Sequence, residues 1–295
     1  MIKRILFLLL STVLMSTLLV GYVSAANPLE ISKYDITRTN IGVQLAQETI
    51  QRWTDNGWNS NCNCNFNDLE VYEINPGDYL VAPASAKIKL QSVRQSDGSV
   101  KLEPTIVTGS PSDSLLGTEA VSPMQAPYWL EVESWCFARV QNFMGWIDNC
   151  YAINKLIGET DSQYDYYELT HYATAASKYP FRLKWAQLTC RRNTQYSSTM
   201  LWKDWYPKSD QPAPSCSTIT LGITVFGVTL SYASQICTSG WDITKYDEAG
   251  RFANKWYGNV GSGTEREVAY MVCVKVPQNG YAIWDLTAGY GCSLI

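Results

Sequence analysis

Residues 216–237 read CSTITLGITVFGVTLSYASQIC. Apolar and small polar residues alternate along both arms, the pattern of β-strands with one buried face. Between the arms sits Phe226-Gly227, a two-residue link of hairpin length. The register that opposes Cys216 with Cys237 also opposes Thr218 with Gln235, Leu221 with Tyr232, Ile223 with Leu230 and Val225 with Val228. It gathers Ile219, Leu221, Ile223, Val225, Val228, Leu230 and Tyr232 on one face. Thr218, Thr220, Gly222, Thr224, Thr229, Ser231 and Ala233 fall on the other. A slip of one residue would send one arm's apolar set to the opposite face. Hydrophobic pattern and cysteine spacing therefore specify the same pairing independently, with a Cys216–Cys237 disulfide at its base.

The aromatic-rich stretch YWLEVESWCFARVQNFMGWIDNCYAINKLI at residues 128–157 reads the same way. With Gln141 opposite Gly145, Cys136 faces Cys150, Trp135 faces Tyr151, Glu131 faces Lys155 and Leu130 faces Leu156, which predicts a second disulfide, Cys136–Cys150. Strand-like alternation recurs at residues 164–174, 181–190, 199–206, 267–276 and 281–290. Residues 246–257 fit either a short helix or a strand. Many short strands parted by turns predict a mainly β chain, with an antiparallel β-sandwich or barrel-like domain over residues 128–295.

Upstream, residues 26–107 read as a small α+β region. A helix is predicted over 42–54, where Val43, Ala46, Ile50 and Trp53 recur at helical spacing between a capping Asn40 and a terminating Gly57. Strands follow at 69–74 and 78–93. Asp97-Gly98 marks a hairpin between residues 87–90 and 100–102. Residues 108–127, rich in Ser, Pro, Gly and Thr and poor in aromatics, are predicted to be a linker between two units.

The first 25 residues have the three parts of a signal peptide: Lys3 and Arg4, an apolar run from Ile5 to Val20, and the small-residue pattern Val23-Ser24-Ala25. A secreted protein is predicted, and with it an oxidising setting in which most of the nine cysteines pair. An odd count leaves at least one thiol outside that scheme. With 23 basic against 27 acidic residues, the chain lacks the basic surface that nucleic acid requires. One histidine and a single close cysteine pair, Cys62 and Cys64, argue against a structural zinc site, and no cofactor is predicted. The asparagine-rich loop at 55–68 matches the spacing of a calcium loop but replaces its carboxylates with amides.

Three functional readings compete. The surplus of 11 Trp and 19 Tyr, with Trp129, Trp135 and Phe137 expected on one face beside Glu131, Glu133 and Arg139 and with Tyr151 across the hairpin, suggests an aromatic face for an extracellular glycan or surface protein. The 216–237 hairpin suggests instead a pore-forming stem, because a dyad pattern over arms of about nine residues suits a strand with lipid on one side and water on the other. Membrane contact is expected only if that hairpin inserts. A secreted hydrolase is the third reading. Its candidates are His171, set in a plain strand pattern, and the carboxylate pairs Glu131 with Glu133 or Asp165 with Glu168. None carries a catalytic signature, so no catalytic residue is assigned.

Overall fold

The computed structural model describes residues 29–30, 40–58, 68–96, 98–108, 126–141, 143–193, 195, 198–213, 215–237, 240–246 and 250–295. The leader predicted at residues 1–25, the loop with Cys62 and Cys64, and residues 109–125 of the predicted linker lie outside them.

Alternation of the kind read above yields two seven-stranded sheets and a separate ribbon. The first sheet runs in the order β1 (Leu29–Glu30), β4 (Lys87–Arg94), β5 (Val100–Val107), β16 (Trp284–Leu294), β9 (Phe181–Arg192), β14 (Arg251–Val260), β13 (Trp241–Tyr246). The second runs β10 (Leu201–Tyr206), β15 (Arg266–Pro277), β8 (Tyr164–Ser177), β7 (Gly145–Ile157), β6 (Tyr128–Gln141), β3 (Asp78–Pro83), β2 (Leu69–Asn75). All pairings are antiparallel. The sandwich-like, mainly β fold is as the sequence predicts. Within 246–257, Tyr246 and residues 251–257 are strand rather than helix, and β13 is an element that the sequence pattern does not announce.

The sheets share one interior. Inward-facing Ile147, Leu169, Tyr270 and Val272 of the second sheet and Leu183, Leu188 and Phe252 of the first are fully buried. Phe252 and Tyr270 meet at 5.1 Å between ring centroids, and Asn254 Nδ2 donates across the gap to the Ala269 carbonyl at 2.7 Å. Within the second sheet, Gly145 of β7 lies close to the neighbouring strand β8, where a Cβ would sit 2.2 Å from the Ala176 carbonyl oxygen.

The predicted boundary at 108–127 does not divide the sheets. β3 pairs with β6 and β5 pairs with β16, so strands from both sides of it hydrogen-bond within each sheet. Arg139 of β6 reinforces this union. Its guanidinium donates to Asp78 of β3 at 2.8 and 3.1 Å and to Glu103 of β5 at 2.6 Å, tying the two sheets together with Arg139 and Asp78 both buried.

Helix α1 (Asn40–Asp55) matches the prediction to within two residues at its start and one at its end. Its buried stripe is Leu45, Ala46, Thr49 and Trp53, while Val43, expected on that stripe, is 41% exposed. Arg52 anchors the helix to the second sheet by a two-point contact with fully buried Asp148, at 2.6 and 2.9 Å, and stacks over Trp146. Those two residues share the outer face of the sheet, the one turned away from the sandwich interior.

Candidate functional site

The ribbon consists of β11 (Ser217–Val225) and β12 (Val228–Ile236), and its register is the one read from the sequence, from Ser217 opposite Ile236 to Val225 opposite Val228. Phe226 and Gly227 both have positive φ, 48° and 77°, as a two-residue turn matched to strand twist demands. Cys216 and Cys237 are bonded at the base. The ribbon shares no ladder with either large sheet.

It lies instead with its apolar face on the outer face of the second sheet. Leu221, Ile223 and Val225 are buried, Ile219, Val228, Leu230 and Tyr232 half-buried, while Thr218, Thr220, Thr224, Thr229 and Ser231 face solvent. At the tip, Phe226 meets Tyr166 of β8 edge-on at 5.2 Å, and Trp129 Nε1 donates to the Val228 carbonyl at 3.3 Å. Nearer the base, Tyr232 stacks on Tyr172 at 4.8 Å, and Glu267 accepts from Ser234 Oγ and Gln235 N at 2.9 and 2.6 Å. Residues 216–237 contain no Asp, Glu, Lys, Arg or His.

Between Tyr166 and Tyr172 the outward residues of β8 are Glu168 and Thr170, and the ribbon covers both. Glu168 has no exposed surface. Its carboxyl accepts from Asn154 Nδ2 at 2.9 Å and Thr170 Oγ1 at 2.7 Å, and desolvation pushes its pKa up to about 8 against the opposing pull of those two bonds. Its cross-strand neighbours are Cys273 of β15 and Asn154 of β7. The carboxylate pair of Glu168 with Asp165 does not form, since parity places the two on opposite faces and Asp165 is engaged with Lys155 at 3.1 Å.

The predicted aromatic face does not form. A bulge between Glu131 and Glu133 shifts the β6–β7 register, so that Leu130 opposes Lys155 and Glu131 opposes Asn154, while Cys136 still opposes Cys150 and Trp135 still opposes Tyr151. The bulge turns Trp129 to the outer face, beneath the ribbon, and leaves Trp135, Phe137 and Arg139 on the inner one. Phe137, Arg139 and Tyr151 are 1%, 5% and 2% exposed, inside the sandwich, where a glycan has no access to them. Glu131 and Glu133 part to opposite faces for the same reason. Cys136 and Cys150 are bonded as predicted, and Cys190, Cys273 and Cys292 carry free thiols.

No protein-family model and no curated protein matches the chain. Two solved toxin structures resemble it loosely. Delta-toxin of Clostridium perfringens is similar with a TM-score of 0.36 and 6% identity, over 76% of this chain and 86% of that one. The NetB toxin of Clostridium perfringens in its membrane-inserted form is similar with a TM-score of 0.25 and 7% identity, over 55% of this chain and 93% of that one. At these scores the likeness assigns neither a family nor an activity.

His171 is fully buried, with Nδ1 2.8 Å from the Tyr270 hydroxyl and Nε2 3.3 Å from Asn149 Oδ1. Desolvation drives its pKa down to about 3, so the ring is neutral and held as a core residue. Elsewhere, Phe143 and Tyr179 are 79% and 81% exposed on adjoining turns, joined by a hydrogen bond from Lys178 N to the Met144 carbonyl at 2.8 Å. These turns close the end of the sheet nearest the ribbon's base: Glu267, which holds that base, opposes Thr174, three residues from the end of β8.

Proposed function

We propose that this protein is a secreted, membrane-active pore former that inserts the Ser217–Ile236 ribbon into a bilayer. The observation that supports this most strongly is the ribbon itself: uncharged, apolar on one face and hydroxylated on the other, and held to the body by side chains rather than by a shared ladder. Its release leaves every ladder hydrogen bond of both large sheets intact and breaks only side-chain bonds such as those of Trp129 and Glu267. The principal cost is re-exposing apolar surface, about 1.5–3 kcal/mol for each of the fully buried Leu221 and Ile223, and a bilayer restores that burial. Each strand has nine residues, at the length a tilted strand needs to cross the hydrocarbon. The apolar set then faces lipid and the threonines line water.

A lone ribbon has two open edges, and backbone groups within lipid must all be paired, so several copies have to close a barrel together. Exposed Phe143 and Tyr179 suit the interfacial zone of a bilayer and lie at the end from which a ribbon pivoting on its base would project. The test is dye release from phosphatidylcholine vesicles with and without cholesterol and anionic lipid, read alongside hydrogen exchange of residues 217–236. Leakage coupled to loss of protection in the ribbon is expected. Vesicles that stay sealed while the ribbon stays protected would overturn the reading.

A further inference from the structure

We propose that Glu168 is a proton-operated latch on the ribbon: its protonated carboxyl lets the ribbon lie closed on the sheet, and loss of that proton favours release. The latch rests on the reading of the ribbon as a releasable element and deepens it by naming what controls release.

The geometry is that of a carboxyl sealed by the very element that moves. On β8, Tyr166 touches Phe226 and Tyr172 touches Tyr232, which brackets Glu168 beneath the ribbon. The ribbon whose ring contacts bracket Glu168 brings no charge to it: residues 216–237 contain no Asp, Glu, Lys, Arg or His, and the inward set is Ile219, Leu221, Ile223, Val225, Val228, Leu230 and Tyr232. The layer beside it supplies neutral donors, Asn154 and Thr170. Among the described residues no cationic side chain pairs with Glu168. A carboxylate without a cation and without water is strongly disfavoured, whereas a neutral carboxyl with two hydrogen-bond partners is tolerated.

Other titratable or charged groups surround it: Tyr166 of β8 donates to Asp161 at 2.7 Å, and the Lys203 ammonium of β10 pulls against the rise of the Cys273 thiol. Cys273 of β15 opposes Glu168, and burial pushes its thiol up; Tyr232 of β12 is likewise pushed up by burial. Asp204 of β10, opposite Cys273, is held by Lys208, and Glu131 of β6, opposite Asn154, accepts from Ser134. At the far ends of the face, Asp148 is paired with Arg52, Glu267 holds the ribbon's base and Lys275 lies over Tyr164. Between about pH 6 and pH 8 the sensitive group in the covered layer is therefore Glu168.

The sign follows from linkage. Closed, the ribbon raises the affinity of Glu168 for its proton; open, the group returns to water and to the ordinary glutamate range. The closed state is favoured in acid and loses ground as pH rises, until both states are ionised above about pH 8. With a closed-state value of about 8 and an ordinary one of 4.5, opening rises roughly fiftyfold between about pH 6 and pH 8.

Hydrogen exchange of residues 217–236, corrected for intrinsic rates, reads this directly in the wild type and in Glu168→Gln. The expected result is the roughly fiftyfold rise in the wild type, a flat profile in the variant, and no change in β7, β8 or β15 in either. An equal rise in both proteins, or a flat wild-type profile, would overturn the latch. Should Glu168→Gln fail to fold, a carbon-13 titration of the glutamate carboxyls in the wild type decides the matter, because one must titrate near pH 8; all of them titrating in the ordinary range would overturn it. Vesicle leakage at the same pH values separates the two proposals. Opening that tracks Glu168 without leakage keeps the latch and removes the pore, and leakage without pH-dependent opening does the reverse.

Discussion

Truncating Ile223 to alanine asks whether the ribbon is held as an independent unit. Ile223 has no exposed surface and sits mid-arm opposite Leu230, so its side chain contributes to docking on the sheet and little to the ribbon's own backbone ladder. Deleting a fully buried isoleucine to alanine costs about 2–5 kcal/mol, depending on how well the gap closes. At about 1.4 kcal/mol per factor of ten, opening should become roughly thirtyfold to several-thousandfold more frequent. Where that change appears is the test. Native-state hydrogen exchange with peptide-level readout should show residues 217–236 accelerating while β7, β8 and β15 keep their rates. Val272→Ala is the contrast: Val272 is also fully buried, but between the two sheets, and its loss should lower protection throughout. Loss spread evenly over both sheets in Ile223→Ala would refute the independence of the ribbon, and the insertion route with it.

Arg139→Met leaves buried Asp78 with only Lys101, 3.9 Å away, and without its two short guanidinium bonds, and should lower stability by about 3 kcal/mol, seen as a clear drop in melting temperature; an unchanged melting temperature would show that the pair does not tie the sheets together. His171 has a depressed pKa in the folded state, so its contribution to stability is complete above about pH 6.5 and is lost as pH falls towards about 3, by at most about 1.4 kcal/mol per pH unit. As the chain has one histidine, proton NMR of its imidazole is unambiguous, and ring shifts constant down to about pH 4 are expected.

What was legible in the sequence and what was not divide along physical lines. The ribbon was legible in full because strict alternation and two cysteines constrain the same register, and a wrong register violates both. The β6–β7 hairpin was legible only on one side of its bulge. One unpaired residue near Val132 carries no Gly or Pro signal, yet it inverts the parity of everything before it, and so Trp129 was assigned to the wrong face. The reading of residues 108–127 meets a different limit. Composition reports how a connection is built and says nothing about which sheets its flanking strands join. Glu168 was visible by parity as an outward residue of β8, but that an unpaired ribbon covers that face is a tertiary fact. Its burial was invisible for that reason.

The absence of charge on the ribbon has a cost outside the membrane. Lysines on edges, inward-pointing charges and prolines are the means by which strands are kept from pairing with strands of other molecules. From Ser217 to Ile236 the chain has none of these. Once lifted from the sheet in water, it is a flat β-ribbon with two open edges and an apolar face, the profile of an aggregation-prone segment. The outer face of the second sheet is thus a chaperone that the chain carries for its own most hazardous part. Premature opening should end in concentration-dependent precipitation rather than in a longer-lived free monomer.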